Sequence, residues 1–382
     1  VTKIIAISDL HLGQTGADGL GQHSLLSTKA ATNLVPALAR AISTFTSNAA
    51  DPYTLLVVGD FLDLSLAYAQ DAVEDLRDLL ARLPRPDEII VVAGNHDHHL
   101  WSLHSEDKRL LAPLRGGMIP PTGGGTYQIT SPVGEPFTIL QPLIDGIYAQ
   151  GHAKVTIAYP SYVRELEGGA RLYVTHGHLF GGLYTDLSDL LAPKLAGLPH
   201  DRVAATVNHP IIELIYWLLG ETGEGIGADG LVEAIYTDLQ KGKDGLLRPI
   251  VARLVDQILP HGVLWRVIGG IERRIIVDAI MAELDKQLLS PPLASVTSAD
   301  RFADVEATRA RLRAWMEAIA WPKQQSTIML YGHTHVWDDY AIPDTGVHSY
   351  NLSTWLVEPN HAPPRTGFLG IDGADARWID VT

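Results

Sequence analysis

The sequence predicts an α/β fold, a four-layer α/β/β/α sandwich interrupted by a large helical insertion, and three observations lead there. Short β-branched runs alternate with amphipathic helical patterns through the first hundred residues. A β-rich stretch broken by Gly and Pro follows between about residues 123 and 175. A long helical block then separates it from strand signals that resume after residue 326. Alternating strand and helix argues for mostly parallel strands.

The elements follow in order. Residues 4–7, 55–58 and 89–92 are apolar runs that end at Ser8-Asp9, Gly59-Asp60 and Gly94-Asn95, short enough and apolar enough for strands buried on both faces. Ala69, Ala72, Val73, Leu76, Leu79, Leu80 and Leu83 recur every three or four residues, the period of an amphipathic helix. Asp97 stands where a helix N-cap would stand, ahead of a helix over 98–111. Residues 127–130, 137–140, 155–158 and 171–174 read as a second sheet. The run Gly123-Gly124-Gly125 lacks the Lys-Ser/Thr of a phosphate-binding loop and reads as a flexible turn. In the helical block, Ile271, Ile275, Ala279, Ile280 and Leu284 share a face, and Phe302, Val305, Arg309, Leu312, Met316 and Ile319 run at helical spacing. Strands return at 327–330 and 367–371. The expected organisation is a core of residues 1–182 and 322–382, with 183–321 as a helical insertion or cap.

Composition bounds the chemistry. The chain has 382 residues, 46% hydrophobic and 19% charged, which suits a folded chain of two to three domains at roughly 150 residues each, or one large domain with an insertion. The net charge of −15 repels polyanions, so duplex nucleic acid is a disfavoured partner. There is no cysteine, which excludes disulfides, thiolate zinc sites and a cysteine nucleophile. Any metal must then be held by His, Asp, Asn or Glu. The N-terminal apolar run is too short for a secretory segment and reads as a strand, so a cytoplasmic protein is expected. The richest apolar run, 211–219, contains Glu213 and stops at Gly220, so peripheral membrane contact is the most that is expected.

Five short motifs stand at or just after strand ends: Asp9-Leu10-His11, Gly59-Asp60, Gly94-Asn95-His96-Asp97, His176-Gly177-His178 and Gly332-His333-Thr334-His335. They supply imidazole, carboxylate and amide oxygen, ligands suited to Mn, Fe or Zn at a hydrolytic centre. A lone strand-end histidine is ordinarily a hydrogen-bonded structural group. All five motifs in this order are a far more specific signal.

The set resembles the calcineurin-like metallophosphoesterase superfamily, whose signature is D-x-H, G-D, G-N-H-D, H and G-H-x-H. The resemblance spans residues up to about 178 and from about 326 onward and leaves out the helical block. It implies a dinuclear centre in which Asp9, His11 and His335 hold one metal, Asn95, His176 and His333 hold the other, and Asp60 bridges them. The cofactors implied are two divalent or trivalent ions, manganese first, with iron or zinc as alternatives. Two cations roughly 3.5–4 Å apart need a shared anionic ligand, and a bridging hydroxide would then be the nucleophile that hydrolyses a phosphate ester or diphosphate. By the same resemblance His96 faces the leaving-group oxygen, and Asp97 would orient its imidazole.

Other residues have plainer readings. His178 is as much a loop residue as a substrate contact, and Asp63 supports the centre without binding metal. One of His98, His99 and His104 faces the cleft while the rest lie on the surface, and Asn351 is structural. The expected substrate is a phosphorylated small molecule or a lipid-linked one, since Ser8 to Gly13 and Gly59 to Asp63 also resemble the UDP-2,3-diacylglucosamine pyrophosphatase branch. The insertion, with Leu214, Ile215, Trp217, Leu218 and Leu219 closely spaced, either covers an apolar substrate or, more plainly, buries its own core. The alternative function is a catalytically silent scaffold that binds partners through that insertion.

Overall fold

Strands that are apolar on both faces need cover on both sides, and the computed structural model of the chain supplies it. The structure describes residues 2–15, 22–30, 33–47, 51–65, 67–117, 131–148, 153–180, 184–185, 188, 198–218, 248, 252, 274, 277–278, 281, 305–322, 325–358 and 362–381.

From the N-terminus, β1 (Lys3–Ile7) and the short β2 (His23–Ser24) precede α1 (Val35–Thr46), which opens with a proline in its first turn. There follow β3 (Tyr53–Val58), α2 (Ala69–Arg82), β4 (Glu88–Val92) and α3 (His98–Glu106). The last of these runs on into a π-helical turn at Asp107–Leu111, so the helix expected over 98–111 changes pitch near its middle. Next come β5 (Ser131–Pro136), α4 (Gln141–Ile147), β6 (Lys154–Tyr159), β7 (Ser161–Glu165) and β8 (Arg171–Thr175). Within the block 183–321 lie α5 (His200–Ile212), which continues as a π-helical turn at Glu213–Leu218, and α6 (Val305–Ala318). The chain ends with β9 (Thr327–Tyr331), β10 (Asp338–Ile342), β11 (Val347–Asn351), β12 (Leu356–Val357), β13 (Gly367–Asp372) and β14 (Asp375–Asp380).

Two sheets form the middle layers. The larger has the order β14-β13-β1-β3-β4-β6-β5 and the smaller β10-β11-β9-β8-β7. Strands β1, β3, β4 and β6 are parallel neighbours, as are β8, β9 and β11. Alternation along each strand sorts the core into layers. Ile5, Ile7, Leu55, Val57, Ile89 and Val91 pack under helices α1 and α2 with Leu38, Ile42, Leu76 and Leu79. Their neighbours Ile4, Ala6, Leu56, Val58, Ile90 and Val92 face the smaller sheet through Leu172, Val174, Ile328 and Leu330. The outer face of the smaller sheet, Tyr173, Met329 and Tyr331, is covered by Val203 and Val207 of α5 and Leu312, Trp315 and Met316 of α6. The fold is the expected α/β/β/α sandwich, and its fourth layer is drawn from the 183–321 block.

Three expectations change. Residues 155–158 form β6 of the larger sheet, parallel to β4, because Val155 and Ile157 feed the helix-covered core while Ala158 faces the other sheet. Residues 137–140 form a turn between Pro136 and α4, with Phe137 buried as a core side chain without strand pairing. The buried His98 and His104 are not surface residues. Residues 123–125 and 127–130, together with Leu219, Ile271, Ile275, Ala279, Ile280, Leu284 and Phe302, lie outside the described residues, as do the side chains of Leu214, Ile215 and Leu218.

Candidate metal centre

The five motifs follow the carboxyl ends of β1, β3, β4, β8 and β9. Ligands of open α/β sheets gather beyond those ends, and here the two sheets present them side by side. Backbone bonds tie the tips together: Asp9 N–H donates to Gly59 O (3.2 Å), His11 N–H to Asp60 O (2.9 Å) and Gly332 N–H to His176 O (2.9 Å).

Aiming alternate side chains into one space requires sharp turns. Asp9, His11, Asp60, His333 and His335 all have positive φ, between 45° and 69°. Such conformations cost non-glycine residues about 1–3 kcal/mol each and persist where the surroundings over-determine them. The glycines leave no slack either. Gly59 has φ 83°, and a Cβ there would lie 2.2 Å from His176 Nδ1; on Gly332 it would lie 2.0 Å from Ser8 Oγ and 2.2 Å from Asp9 Oδ2. The His333 N–H reaches both Asp9 carboxylate oxygens at 3.1 Å, and Ser8 Oγ has both the Asp9 carboxylate and Val58 O within reach of its one hydroxyl proton.

Three histidines share one arrangement. His176 Nδ1 donates to Val58 O at 2.9 Å, which leaves Nε2 at 3.1 Å from Asp60 Oδ2 and 3.1 Å from Asn95 Oδ1. His11 Nδ1 meets Asp63 Oδ2 at 3.0 Å, and its Nε2 stands 3.7 Å from Asp60 Oδ2, buried and without a hydrogen-bond partner among the described residues. His335 Nδ1 meets Glu358 Oε2 at 3.2 Å, and its Nε2 lies 3.4 Å from Asp9 Oδ1. An outer acceptor on Nδ1 with Nε2 turned inward is how metal-binding histidines are commonly held. Asp9, His11 and His335 form one group able to hold a cation, and Asp60, His176 and His333 form another, with donor atoms within 4.8 Å of one another in each group. A single oxygen, Asp60 Oδ2, faces both groups. The donor set of imidazole, carboxylate and amide oxygen fits two metal ions.

Electrostatics gives the same picture. Burial alone would raise Asp60, yet His176 and His96 beside it hold its carboxyl well below the usual range. Burial depresses His176 and His335, but Asp60 and Asp9 push His176 up to about 9, while bonds to Asp9 and Glu358 push His335 up to about 10. Burial, then the neighbouring His176, takes His333 down to about 3. His178 is buried with neither ring nitrogen hydrogen-bonded among the described residues, and burial with His176 keeps it neutral.

His96 is where the geometry corrects the sequence. Its Nδ1 lies 2.6 Å from Ser65 Oγ and 3.1 Å from Asp63 Oδ2, so Asp63, not Asp97, orients it. The Asp97 carboxylate accepts instead from the backbone N–H groups of Phe61 and Gly94, each at 2.7 Å. Asp97 stands at the N-cap position of α3 but makes no side-chain cap bond. The His96 N–H donates to Asp60 Oδ1 at 2.9 Å. Burial lowers the ring's affinity for a proton, yet Asp63 and Asp60 raise it to about 9.

Sequence reasoning did not single out Glu358, Ser65 or Tyr216. The Tyr216 ring, carried by the turn after α5, sits 4.9 Å from the His96 ring. Asn351 is structural as expected, donating to Thr334 Oγ1 and accepting from Ser353 N–H. Among the described residues no helix is long and apolar enough to cross a membrane.

Comparison with known proteins adds a family. Residues 2–190 match the calcineurin-like phosphoesterases. No curated protein matches. A solved structure, the phosphopantetheinyl hydrolase from Mycobacterium tuberculosis, is 16% identical over 95% of this chain and 98% of that one, with a TM-score of 0.28, too low to establish a common arrangement. Through residues 2–190 the chain therefore belongs to the calcineurin-like phosphoesterases, enzymes that hydrolyse phosphoesters with the help of metal ions.

Proposed function

We propose that this phosphoesterase works with a two-metal centre in which Asp9, His11 and His335 hold one ion, Asn95, His176 and His333 hold the other, and the Asp60 carboxylate is shared. The observation that carries the reading is the position of Asp60 Oδ2, 3.1 Å from His176 Nε2 and 3.7 Å from His11 Nε2. Two such ions supply water activation at neutral pH and neutralise phosphoryl charge during in-line attack. Manganese is the first metal to load, with iron or zinc as alternatives.

The protein's own groups do the rest. Asp63 fixes the His11 ring from outside, Glu358 fixes His335 and Val58 O fixes His176, so each presents Nε2 inward. His96, 12% exposed at the rim and paired with Asp63, is placed to give a proton to the departing oxygen of a phosphate ester or diphosphate. Asp97 holds the Phe61 and Gly94 backbone in place and so keeps Asp60 and Asn95 where they are. The substrate class is a phosphorylated small or lipid-linked molecule, and the setting is cytoplasmic. Residues 183–321 form an insertion that leaves the core after His176 and returns before His333, beside the centre.

The test is Asp60→Asn in the full chain, assayed for bound metal and for release of product from a phosphomonoester, a phosphodiester and a nucleoside diphosphate. The expected result is metal-dependent turnover of at least one of these in the wild type, and loss of turnover with reduced occupancy of both ions in the mutant. Two tightly held ions and near-normal turnover in Asp60→Asn would remove Asp60 from the shared position.

A further inference from the structure

A second gathering of imidazoles lies where α3 meets α5. The buried His98 points Nδ1 at Glu213 Oε1, 2.6 Å away. Ser102 Oγ donates to the same oxygen at 2.7 Å, and the other oxygen of Glu213 meets His99 Nδ1 at 2.8 Å. On its far side, His98 Nε2 stands 3.4 Å from His209 Nδ1. His209 and Glu213 are one helical turn apart and so share a face, here the face turned to α3.

Two facing ring nitrogens can share at most one proton. Nitrogens bound at about 2.0–2.1 Å to a tetrahedral ion lie about 3.3–3.4 Å apart, which is the separation seen between His98 and His209. One donor atom from each of His98, His209 and Glu213 lies within 4.8 Å of the other two; because Glu213 meets His98 at Nδ1 and His209 faces Nε2, an ion held between His98 Nε2 and His209 would draw the Glu213 carboxylate off Nδ1. The protonation states suit a cation. Burial and the adjacent His98 push His209 down to about 4, which keeps its ring neutral. Glu213 stays ionised because His98 and His99 outweigh its burial. Two imidazoles with one carboxylate, and no thiolate anywhere in the chain, form a ligand set that zinc accepts.

We propose that His98, His209 and Glu213 form a zinc site, separate from the Asp60 centre, that fastens α5 and the turn after it to α3. Ser102 and His99 then hold the remaining lone pairs of Glu213 and fix the direction of its carboxylate. The proposal does not depend on the two-metal reading, because none of its three residues belongs to that set.

The full-length protein, dialysed against zinc and then against buffer, is assayed for metal by mass spectrometry beside His209→Gln, Glu213→Gln and Asp60→Asn. Each of the first two variants should carry one zinc fewer per chain than the wild type, while Asp60→Asn should keep that ion whatever it loses elsewhere. Cobalt should report the same partition, its strong tetrahedral visible absorption being lost in His209→Gln and kept in Asp60→Asn. Equal zinc counts in the wild type and in folded His209→Gln and Glu213→Gln would overturn the site and leave a hydrogen-bonded clamp. If those variants do not fold, wild-type crystals soaked in zinc decide: an anomalous peak between the three side chains supports the site, and its absence beside peaks at the Asp60 centre overturns it.

Discussion

His96 touches Asp63 and Ser65 through its ring and Asp60 through its backbone, so one residue is coupled both to the Asp60 carboxylate and, through Asp63, to the ring of His11. His96→Ala should lower kcat by about 10²–10⁴-fold with metal content nearly intact, the range of a general acid. The loss should shrink for a nitrophenyl ester and grow for an alkyl ester, and equal losses on both would refute the proton-donor role. Asp63→Asn should weaken metal binding as well as turnover, because the same carboxylate orients His11 and His96. Asp97→Asn should lower thermal stability without altering the dependence on leaving group, since its contacts are backbone N–H groups. Protons compete with metal at this centre. His176 at about 9 and His335 at about 10 both lie above the ordinary 6.5. In the metal-free chain they contribute stability that is full below pH 6.5 and lost as pH rises through 9 to 10. Ligation needs the neutral rings, so metal affinity should rise over that interval. Chelator competition from pH 6 to 9, beside thermal midpoints of the metal-free chain, reads both trends, and a flat affinity would contradict them.

At the scale of the element, the unit of this site is a parallel strand with a strained turn at its end. Gly332→Ala would place a Cβ against Ser8 Oγ and Asp9 Oδ2, so Asp9 must move. Overpacking of this kind costs about 1–3 kcal/mol. The expected result is loss of the ion proposed at Asp9, His11 and His335 with a lowered thermal midpoint. Gly146→Ala, inside α4 with nothing within 4 Å, should change neither. Metal counts and melting curves of the two variants make the comparison. These strand-and-turn units were legible in the sequence because each is local: an apolar run that stops at a polar tip fixes β1, β3, β4, β8 and β9 together with Asp9, Asp60, Asn95, His176 and His333. Sheet membership was not legible for residues 155–158, because it depends on which parallel neighbour the crossover reaches and not on composition. The apolar run at 137–140 has a strand-like composition, but Pro136 before it and Pro142 in the first turn of α4 make it a corner. Asp97 was credited with the work of Asp63 because adjacency in a motif says nothing of side-chain direction. Glu358 and Tyr216 belong to no motif, and only the folded chain brings them to His335 and His96.

Across the whole molecule, three layers of core stack in register: helices on the larger sheet, sheet on sheet, and the smaller sheet on α5 and α6. The last layer changes what removal of residues 183–321 would do. A Gly/Ser linker across the whole block would expose Tyr173, Met329 and Tyr331, and would take away Trp315, whose Nε1–H donates to Tyr173 OH at 3.0 Å. Such a protein should be insoluble, for reasons unrelated to substrate. A single side chain tests the block's part in selection more cleanly. Tyr216 meets His96 at a ring separation of 4.9 Å and is hydrogen-bonded to Tyr184, so it stands over the place where a leaving group would depart. It belongs to neither proposed metal set, and Tyr216→Ala should leave metal content unchanged. Removal of its ring opens room beside His96, and discrimination by one such apolar contact is worth about 1–3 kcal/mol, or 10–200-fold in relative kcat/KM. The ratio of kcat/KM for a bulky phosphodiester to that for a small nitrophenyl ester should therefore rise in Tyr216→Ala. An unchanged ratio with metal and thermal midpoint intact would place the substrate's path away from α5, and would leave that helix with the structural task of covering the smaller sheet.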